Sequence, residues 1–322
     1  MAVSRRRLAV SRKWKAGQGK GWASGLPNFQ PSIQTLKTDN HSRITMEHLF
    51  LDNTSIEIHR EIQTGNIRHV VFDFDGTISL IRDGWQNVMV PLMVECLQTE
   101  TDTTETEAQL EAIVVEFVDR LTGKQTIYQM MQLSEEIKKR GGAPKEPLAY
   151  KDEYNRRLLP IVEERIAGLA AGTLPADPLR VPMSLEFLQT LREMGINCYL
   201  ASGTDVEFVK NEAALLGVAE YFDGGIFGAL REYKKFSKAM VIQKIITDFQ
   251  LNGSELLIIG DGYVEIENAK TVGAIAVGVA SVEDNIYNMN ADKRERLIRA
   301  GADIIIPDFR EGTQLLNYLF NL

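Results

Sequence analysis

Two carboxylates two residues apart, Asp73 and Asp75, stand at the end of a short, mostly apolar run, His69-Val70-Val71-Phe72. A run of this length and content reads as a buried strand. Asp75-Gly76-Thr77 then breaks it with turn-forming residues. In an open α/β sheet, ligands bind in the crevice beyond the carboxyl ends of the strands. Two acids delivered there are costly unless positive charge joins them. The plain alternative is an Asp-rich turn that closes a strand, and the rest of the chain has to separate the two.

Other polar groups recur at the same kind of place. The run Asn197–Ala201 ends in Ser202-Gly203-Thr204-Asp205, and Leu256–Ile259 ends in Gly260-Asp261-Gly262. Glu265 follows Asp261 by one helical turn, and Lys238 opens an amphipathic stretch. Parallel strands place their carboxyl ends on one edge, so these groups can converge. Asp73 and Asp261 offer hard oxygen ligands suited to Mg²⁺, which keeps several waters and takes few carboxylates. Lys238 and the Ser202 hydroxyl suit a phosphate, whose charge spreads over its equatorial oxygens during transfer. Each residue also has a plainer reading. Ser202 could be a strand-ending turn residue, Asp205 a cap for the next helix, and Glu265 a first-turn acid favoured by the helix dipole.

The elements that must position these groups follow from periodicity. The opening strand covers about 68–73, preceded by a lead-in with a short strand at Ile56-Glu57-Ile58. From 80 to 182 the pattern is helical. Trp85, Val88, Met89, Leu92, Met93, Cys96 and Leu97 recur on one face, with Pro91 expected to kink that helix. Thr104 and Glu107 fit a capping box for the second helix. A third runs to Lys139-Arg140 before Gly141-Gly142, and a fourth spans roughly 151–170. After Pro182 helices and strands alternate, the pattern of a parallel sheet with covering helices. The expected fold is therefore α/β: a Rossmann-like, doubly wound parallel sheet from residues 46–79 and 183–322, with an all-helical insertion at 80–182.

Composition bounds the remaining choices. The chain has 322 residues, 44% hydrophobic and 25% charged, with a net charge of −8. Residues 1–45 hold nine Lys or Arg against the single acid Asp39, so the remainder carries −16. An acidic body argues against a nucleic-acid groove. The basic segment lacks periodicity and reads as disordered. It could be an arm that touches polyanions or a transit peptide; we read it as translated upstream sequence with the working start at Met46. No apolar run approaches the ~18 residues that span a bilayer, so no membrane partner is expected. Cys96 and Cys198 cannot form a disulfide framework and read as core residues in a reducing cytoplasm. His69 sits at a strand start, away from the chemistry.

Taken together, Asp73-Phe-Asp75-Gly-Thr77, Ser202, Lys238 and Gly260-Asp261-Gly-Tyr-Val-Glu265 resemble, in order, the motifs of the haloacid dehalogenase superfamily. The likeness covers about 66–80 and 183–322, and the helical insertion falls where the phosphoglycolate phosphatase and β-phosphoglucomutase branches carry a cap. The resemblance implies that Asp73 is a nucleophile forming an aspartyl-phosphate. Asp75 would be the general acid/base, its backbone carbonyl also a metal ligand. Ser202, Gly203 and Lys238 would hold the phosphoryl group, Asp261 would bind Mg²⁺, and Glu265 would orient the metal's shell. The third motif lacks the family's common Lys-Pro, so Lys234 and Lys235 compete with Lys238. An acid at position 75 points to phosphate esters rather than dehalogenation. The implied activity is a phosphatase for a small phosphorylated metabolite; the alternatives are a phosphomutase and a non-catalytic protein on the same fold. Substrate choice would fall to the insertion, through the turn Gly123-Lys124-Gln125-Thr126 and through Arg82, for which a surface charge is the plainer reading.

Overall fold

The computed structural model describes residues 49–282 and 289–322. The basic segment 1–45 and the start at Met46 lie outside the described residues. Eight strands among these residues form one sheet: β1 (Leu49–Phe50), β2 (Glu57–Ile58), β3 (His69–Phe72), β4 (Asn197–Asp205), β5 (Gly225–Ala229), β6 (Leu256–Gly260), β7 (Ile275–Val279) and β8 (Ile304–Ile306), in the order β1-β2-β8-β7-β6-β3-β4-β5. From β5 across to β8 all pairings are parallel. Only the short β2 and β1 at the far edge run antiparallel.

All four residues of β3 are buried. Strands of a parallel sheet covered on both faces read as continuous apolar runs, which is why His69–Phe72 shows no alternation. The strand lies between β4 and β6, with Phe72 level with Leu200 on one side and Ile259 on the other. The chain builds outward from β3 first to β4 and β5, then on the opposite side to β6, β7 and β8. That reversal makes the end of β3 a topological switch point, where doubly wound sheets hold their ligands.

Four helices follow β3: α1 (Gln86–Glu100), α2 (Glu107–Leu121), α3 (Thr126–Lys139) and α4 (Pro147–Ala170). Their apolar stripes meet one another, with Met93, Leu97, Val114, Phe117, Met130 and Leu133 essentially without exposure. Pro91 lies inside α1. Two boundaries differ from the sequence reading. The capping box of α2 is Thr106 with Gln109, not Thr104 with Glu107, because the helix starts at Glu107 and Thr106 is its N-cap. The fourth helix begins at Pro147 rather than near 151, since proline at the first turn forfeits no helical hydrogen bond. Six further helices cover the sheet: α5 (Ser184–Glu193), α6 (Val206–Leu215), α7 (Lys238–Phe249), α8 (Tyr263–Thr271), α9 (Ala291–Ala300) and α10 (Gly312–Phe320). Among the described residues no helix is long and apolar enough to cross a membrane.

The two connections between sheet and insertion run side by side. Leu80 N–H donates to the Leu179 carbonyl at 2.8 Å, and Val181 N–H donates to Ile78 O at 3.0 Å. Both cysteines are buried; burial pushes the thiol of Cys96 up to about 11 and that of Cys198 up to about 12. His69 stacks on Phe249, its Nδ1 3.1 Å from the Tyr199 hydroxyl, and serves the core.

At the sheet edge Glu57 is almost enclosed. Burial raises its carboxyl, but hydrogen bonds from His59 and Arg294 outweigh that and bring it from 4.5 down to about 2. A carboxylate with a depressed folded-state pKa contributes stability that is complete above its unfolded value and lost as pH falls toward the folded one. Melting temperature should therefore fall between pH 4.5 and 2, and Glu57→Gln should flatten that part of the slope. An unchanged acid limb in the variant would assign the acid sensitivity elsewhere.

Candidate active site

At the end of β3 the backbone leaves the sheet through a tight turn. The Phe74 carbonyl accepts from Ile78 and Ser79 N–H groups, each at 2.9 Å, and Gly76 N–H donates to Ser79 O at 2.9 Å. Gly76 has a φ of +76°, which favours glycine, and a β-carbon there would lie 2.1 Å from Asp261 Oδ2. The turn thus brings the backbone beside Asp75 against the Asp261 carboxylate. Gly76→Ala should displace Asp261 and lower kcat/KM by about 10²-fold. Gly141→Ala should do far less, since Gly141 has a similar φ of +78° but open space around it. Equal effects would reduce the role of Gly76 to backbone strain alone.

Asp73 is buried, 5% exposed, and its Oδ1 accepts from Lys238 Nζ at 2.8 Å. The same ammonium also bonds Glu265 Oε1. Lys238 is held there because Ser237 caps α7, its hydroxyl accepting from Met240 N–H. The competing lysines are elsewhere: Lys235 pairs with Glu232 at the surface, and Lys234 lies over the Tyr233 ring. Burial pushes the Asp73 carboxyl well up; Lys238 opposes this, while the neighbouring Glu265 and Asp261 add to it. Asp261, at the end of β6, accepts from Lys293 Nζ of α9 at 3.0 Å. Lys293 carried no sequence signal, being an ordinary helix-surface position that only the fold brings inward.

Asp75 is held by different partners. Ser202 Oγ and Thr204 Oγ1 both donate to its Oδ2, at 3.1 and 2.9 Å. In this arrangement the Ser202 hydroxyl is committed to Asp75 and to the Thr204 N–H. Among the described residues Asp75 Oδ1 has no hydrogen-bond partner, and Arg82 Nε lies 4.0 Å from it. Gly203 faces the cleft where the Lys124 carbonyl packs on it; a β-carbon at 203 would sit 2.7 Å from that oxygen. The 123–126 turn of the insertion therefore closes directly onto the end of β4.

Some assignments change. Gln125 turns away from the cleft: its amide donates to the carbonyls of Tyr233 and Phe236 at 3.0 and 2.7 Å, tying the turn to the sheet side. Lys124 and Thr126 line the cleft. Asp205 makes no cap bond to α6; its carboxylate accepts from Lys151 of α4 at 2.7 Å. Arg82 is not a surface charge. It is 7% exposed, forked onto Glu212 of α6, and forms part of the cleft wall. Burial raises the Glu212 carboxyl to about 7; Arg82 pulls it down and Asp75 pushes it up. Glu212 and Lys151 were missed because each lies on an ordinary amphipathic helix, with its partner distant in sequence.

Among the described residues no cluster of three or more His, Cys, Asp or Glu forms a metal site on its own. The donor chemistry nevertheless suits a hard divalent cation. Asp73 and Asp261 each give one oxygen to a lysine, and among the described residues no hydrogen bond engages the other. Both line the same cleft, as suits Mg²⁺, which takes few carboxylates and keeps its waters. Behind them Glu265 holds a buried oxygen, Oε2, without a hydrogen-bond partner. Among the described residues the carboxylates of Asp73, Glu265 and Asp261 gather around the ammonium groups of Lys238 and Lys293, a setting that favours a further cation.

No curated protein matches the chain. The structure is similar to a predicted phosphatase from Clostridium acetobutylicum, with a TM-score of 0.52 over 78% of this chain and 98% of that one. It is also similar to a predicted phosphoglycolate phosphatase from Haemophilus somnus (TM-score 0.51, 78% and 98% covered) and a β-phosphoglucomutase from Clostridium difficile (0.51, 76% and 92%). Each is 16% identical, a level at which the likeness speaks for the fold alone. A sequence model of the haloacid dehalogenase-like hydrolases matches residues 67–273, which spans β3, the helical insertion and the Asp261–Glu265 segment. With well over half of its length matched, the chain belongs to the haloacid dehalogenase-like hydrolase family.

Proposed function

We propose that this hydrolase is a Mg²⁺-dependent phosphatase that acts on a small phosphorylated metabolite through an aspartyl-phosphate. The observation that carries this reading is the division of labour between two acids. Asp73 is gripped by Lys238, while Asp75, two residues on, accepts from the Ser202 and Thr204 hydroxyls, with Arg82 Nε 4.0 Å from its other oxygen. The Lys238 ammonium opposes the burial that raises the Asp73 carboxyl, and so favours the anion that a nucleophile needs. An acid that accepts from neutral hydroxyls can carry a proton and release it.

In this reading the phosphoryl group enters between Asp73, Lys238 and Gly203. Asp73 attacks phosphorus, and its bond to the ester oxygen breaks. Asp75 protonates the departing oxygen, then takes a proton from the water that hydrolyses the acyl phosphate. Lys238 and backbone N–H groups of the β4 end offset the charge on the equatorial oxygens. Asp73, Asp261 and the Asp75 carbonyl would hold Mg²⁺, with Glu265 behind them; bound there, the ion would neutralise phosphoryl charge. The helical insertion serves as a cap that shields the site from bulk water.

A phosphate-release screen over small phosphate esters, with Mg²⁺ and with EDTA, tests this. Steady release without added bisphosphate is expected, and it should stop in EDTA. Equal rates in EDTA would remove the metal from the mechanism, and release only after bisphosphate activation would assign the chain to mutase chemistry.

A further inference from the structure

The cleft extends beyond the reacting carboxylates to a wall that the phosphatase chemistry does not use. Arg82 stands in that wall, in the connection between β3 and α1, with its side chain 8% exposed. Its Nε and Nη2 donate to Glu212, at 3.1 and 2.6 Å to Oε1. Glu212 has no exposure and lies behind the wall. The Phe208 ring, 5.2 Å from the guanidinium carbon, backs one face of the plane.

This arrangement has a direction. One edge of a guanidinium fork is consumed by a buried carboxylate, and a ring fixes its plane. The opposite nitrogen, Nη1, makes no hydrogen bond among the described residues. An enclosed ion pair is a poor device for stability, since well-packed apolar residues in its place often do as well. A guanidinium held from behind and open in front does suit planar recognition of an oxyanion. Lys124 lines the same cleft and adds positive charge, while Lys151 there is paired with Asp205.

We infer that Arg82, held by Glu212, is a specificity-determining residue that binds a second oxyanionic group of the substrate, a carboxylate or a further phosphate, on a short spacer from the ester oxygen. The spacer is short because Arg82 Nε lies 4.0 Å from Asp75 Oδ1, and Asp75 is the group placed at the leaving oxygen. The inference rests on the phosphatase reading for the reacting end of the substrate, and it adds what the other end must be.

The test is a matched series of alkyl phosphates of two to four carbons, ending in carboxylate, phosphate or methyl. With the wild-type chain, kcat/KM for an oxyanion-tailed ester should exceed that of its methyl counterpart by about 10²-fold at one spacer length. Carboxylate and phosphate tails separate the two sources of charge. Arg82→Gln alone leaves Glu212 unpaired and can fail to fold, so the informative variant is the pair Arg82→Gln with Glu212→Gln, whose amides can bond each other. In that variant the ratio should shrink at least tenfold. A matched series of phosphonates, titrated by calorimetry, reads the same preference without turnover. Tighter binding of the tailed phosphonate with no hydrolysis of any ester would refute the phosphatase reading and uphold this one. Equal handling of tailed and untailed compounds at every length, or a preference that survives in the paired variant, would overturn it.

Discussion

Replacing Asp73 by Asn is expected to reduce phosphate release by about 10⁴-fold or more, the scale seen when a covalent nucleophile is removed. The amide keeps the shape of the side chain but cannot form the acyl phosphate. Stability should move the other way or not at all. Asp73 is enclosed with Glu265 and Asp261, and burial together with those two charges already works against its ionised form. Losing one negative charge leaves Lys238 its bond to Glu265, so melting temperature should hold or rise. Strained functional groups commonly trade stability for activity in this way. Release within tenfold of wild type would show that the phosphoryl group is transferred elsewhere. A collapse in melting temperature would show that Asp73 is structural.

The second large effect is at Lys238. Its ammonium is the shared partner of Asp73 and Glu265, and all three side chains are at most 6% exposed. Lys238→Met deletes the cation shared by two enclosed carboxylates, a change that typically costs about 3–5 kcal/mol. For a chain of this size that lowers the melting temperature by roughly 10 °C. Activity should be lost as well, because under the proposed function the same ammonium would face the transferred phosphoryl group. Mg²⁺ should recover part of the lost stability, since a ligand that binds only the folded state stabilises it by mass action. In wild type, where Lys238 is present, the same Mg²⁺ should give a smaller shift. A variant that melts like wild type would mean the carboxylates are accommodated without the lysine.

Much of this was legible in the sequence because the key groups end strands. A run such as Leu256–Ile259 is buried on both faces, so its period and its end are plain, and the parallel topology then fixes which ends share an edge. Asp73, Ser202 and Asp261 could be placed together on that basis alone. Ser237, a helix-capping residue type that fixes where α7 begins, is the local feature that sets Lys238 apart from Lys234 and Lys235. What stayed hidden depends on helix-to-helix contacts. Glu212 and Lys151 face inward from α6 and α4, and no local pattern marks an inward charge until its partner, Arg82 or Asp205, is placed beside it. Gln125 misled for the same reason. A polar residue in a turn suggests reach toward a ligand, whereas its amide satisfies two backbone carbonyls of a neighbouring segment.

The paired connections at Ile78–Leu80 and Leu179–Val181 have a consequence for how this architecture can diversify. About a hundred residues hang from the sheet by two adjacent, hydrogen-bonded threads, so their length and sequence can change without disturbing any strand-to-strand pairing. Under the proposed function, the portion that would meet the variable end of a substrate is thereby joined to the sheet through a single pair of chain connections. The two portions still meet at side chains: Gln125 bonds the Tyr233 and Phe236 carbonyls, and Lys151 pairs with Asp205. Arg82 sits just past the first thread yet is anchored on a sheet-side helix, so an exchanged insertion would inherit its charge. Grafting a different helical segment between residues 83 and 178 would bring new contacts to the cleft while leaving the guanidinium in place.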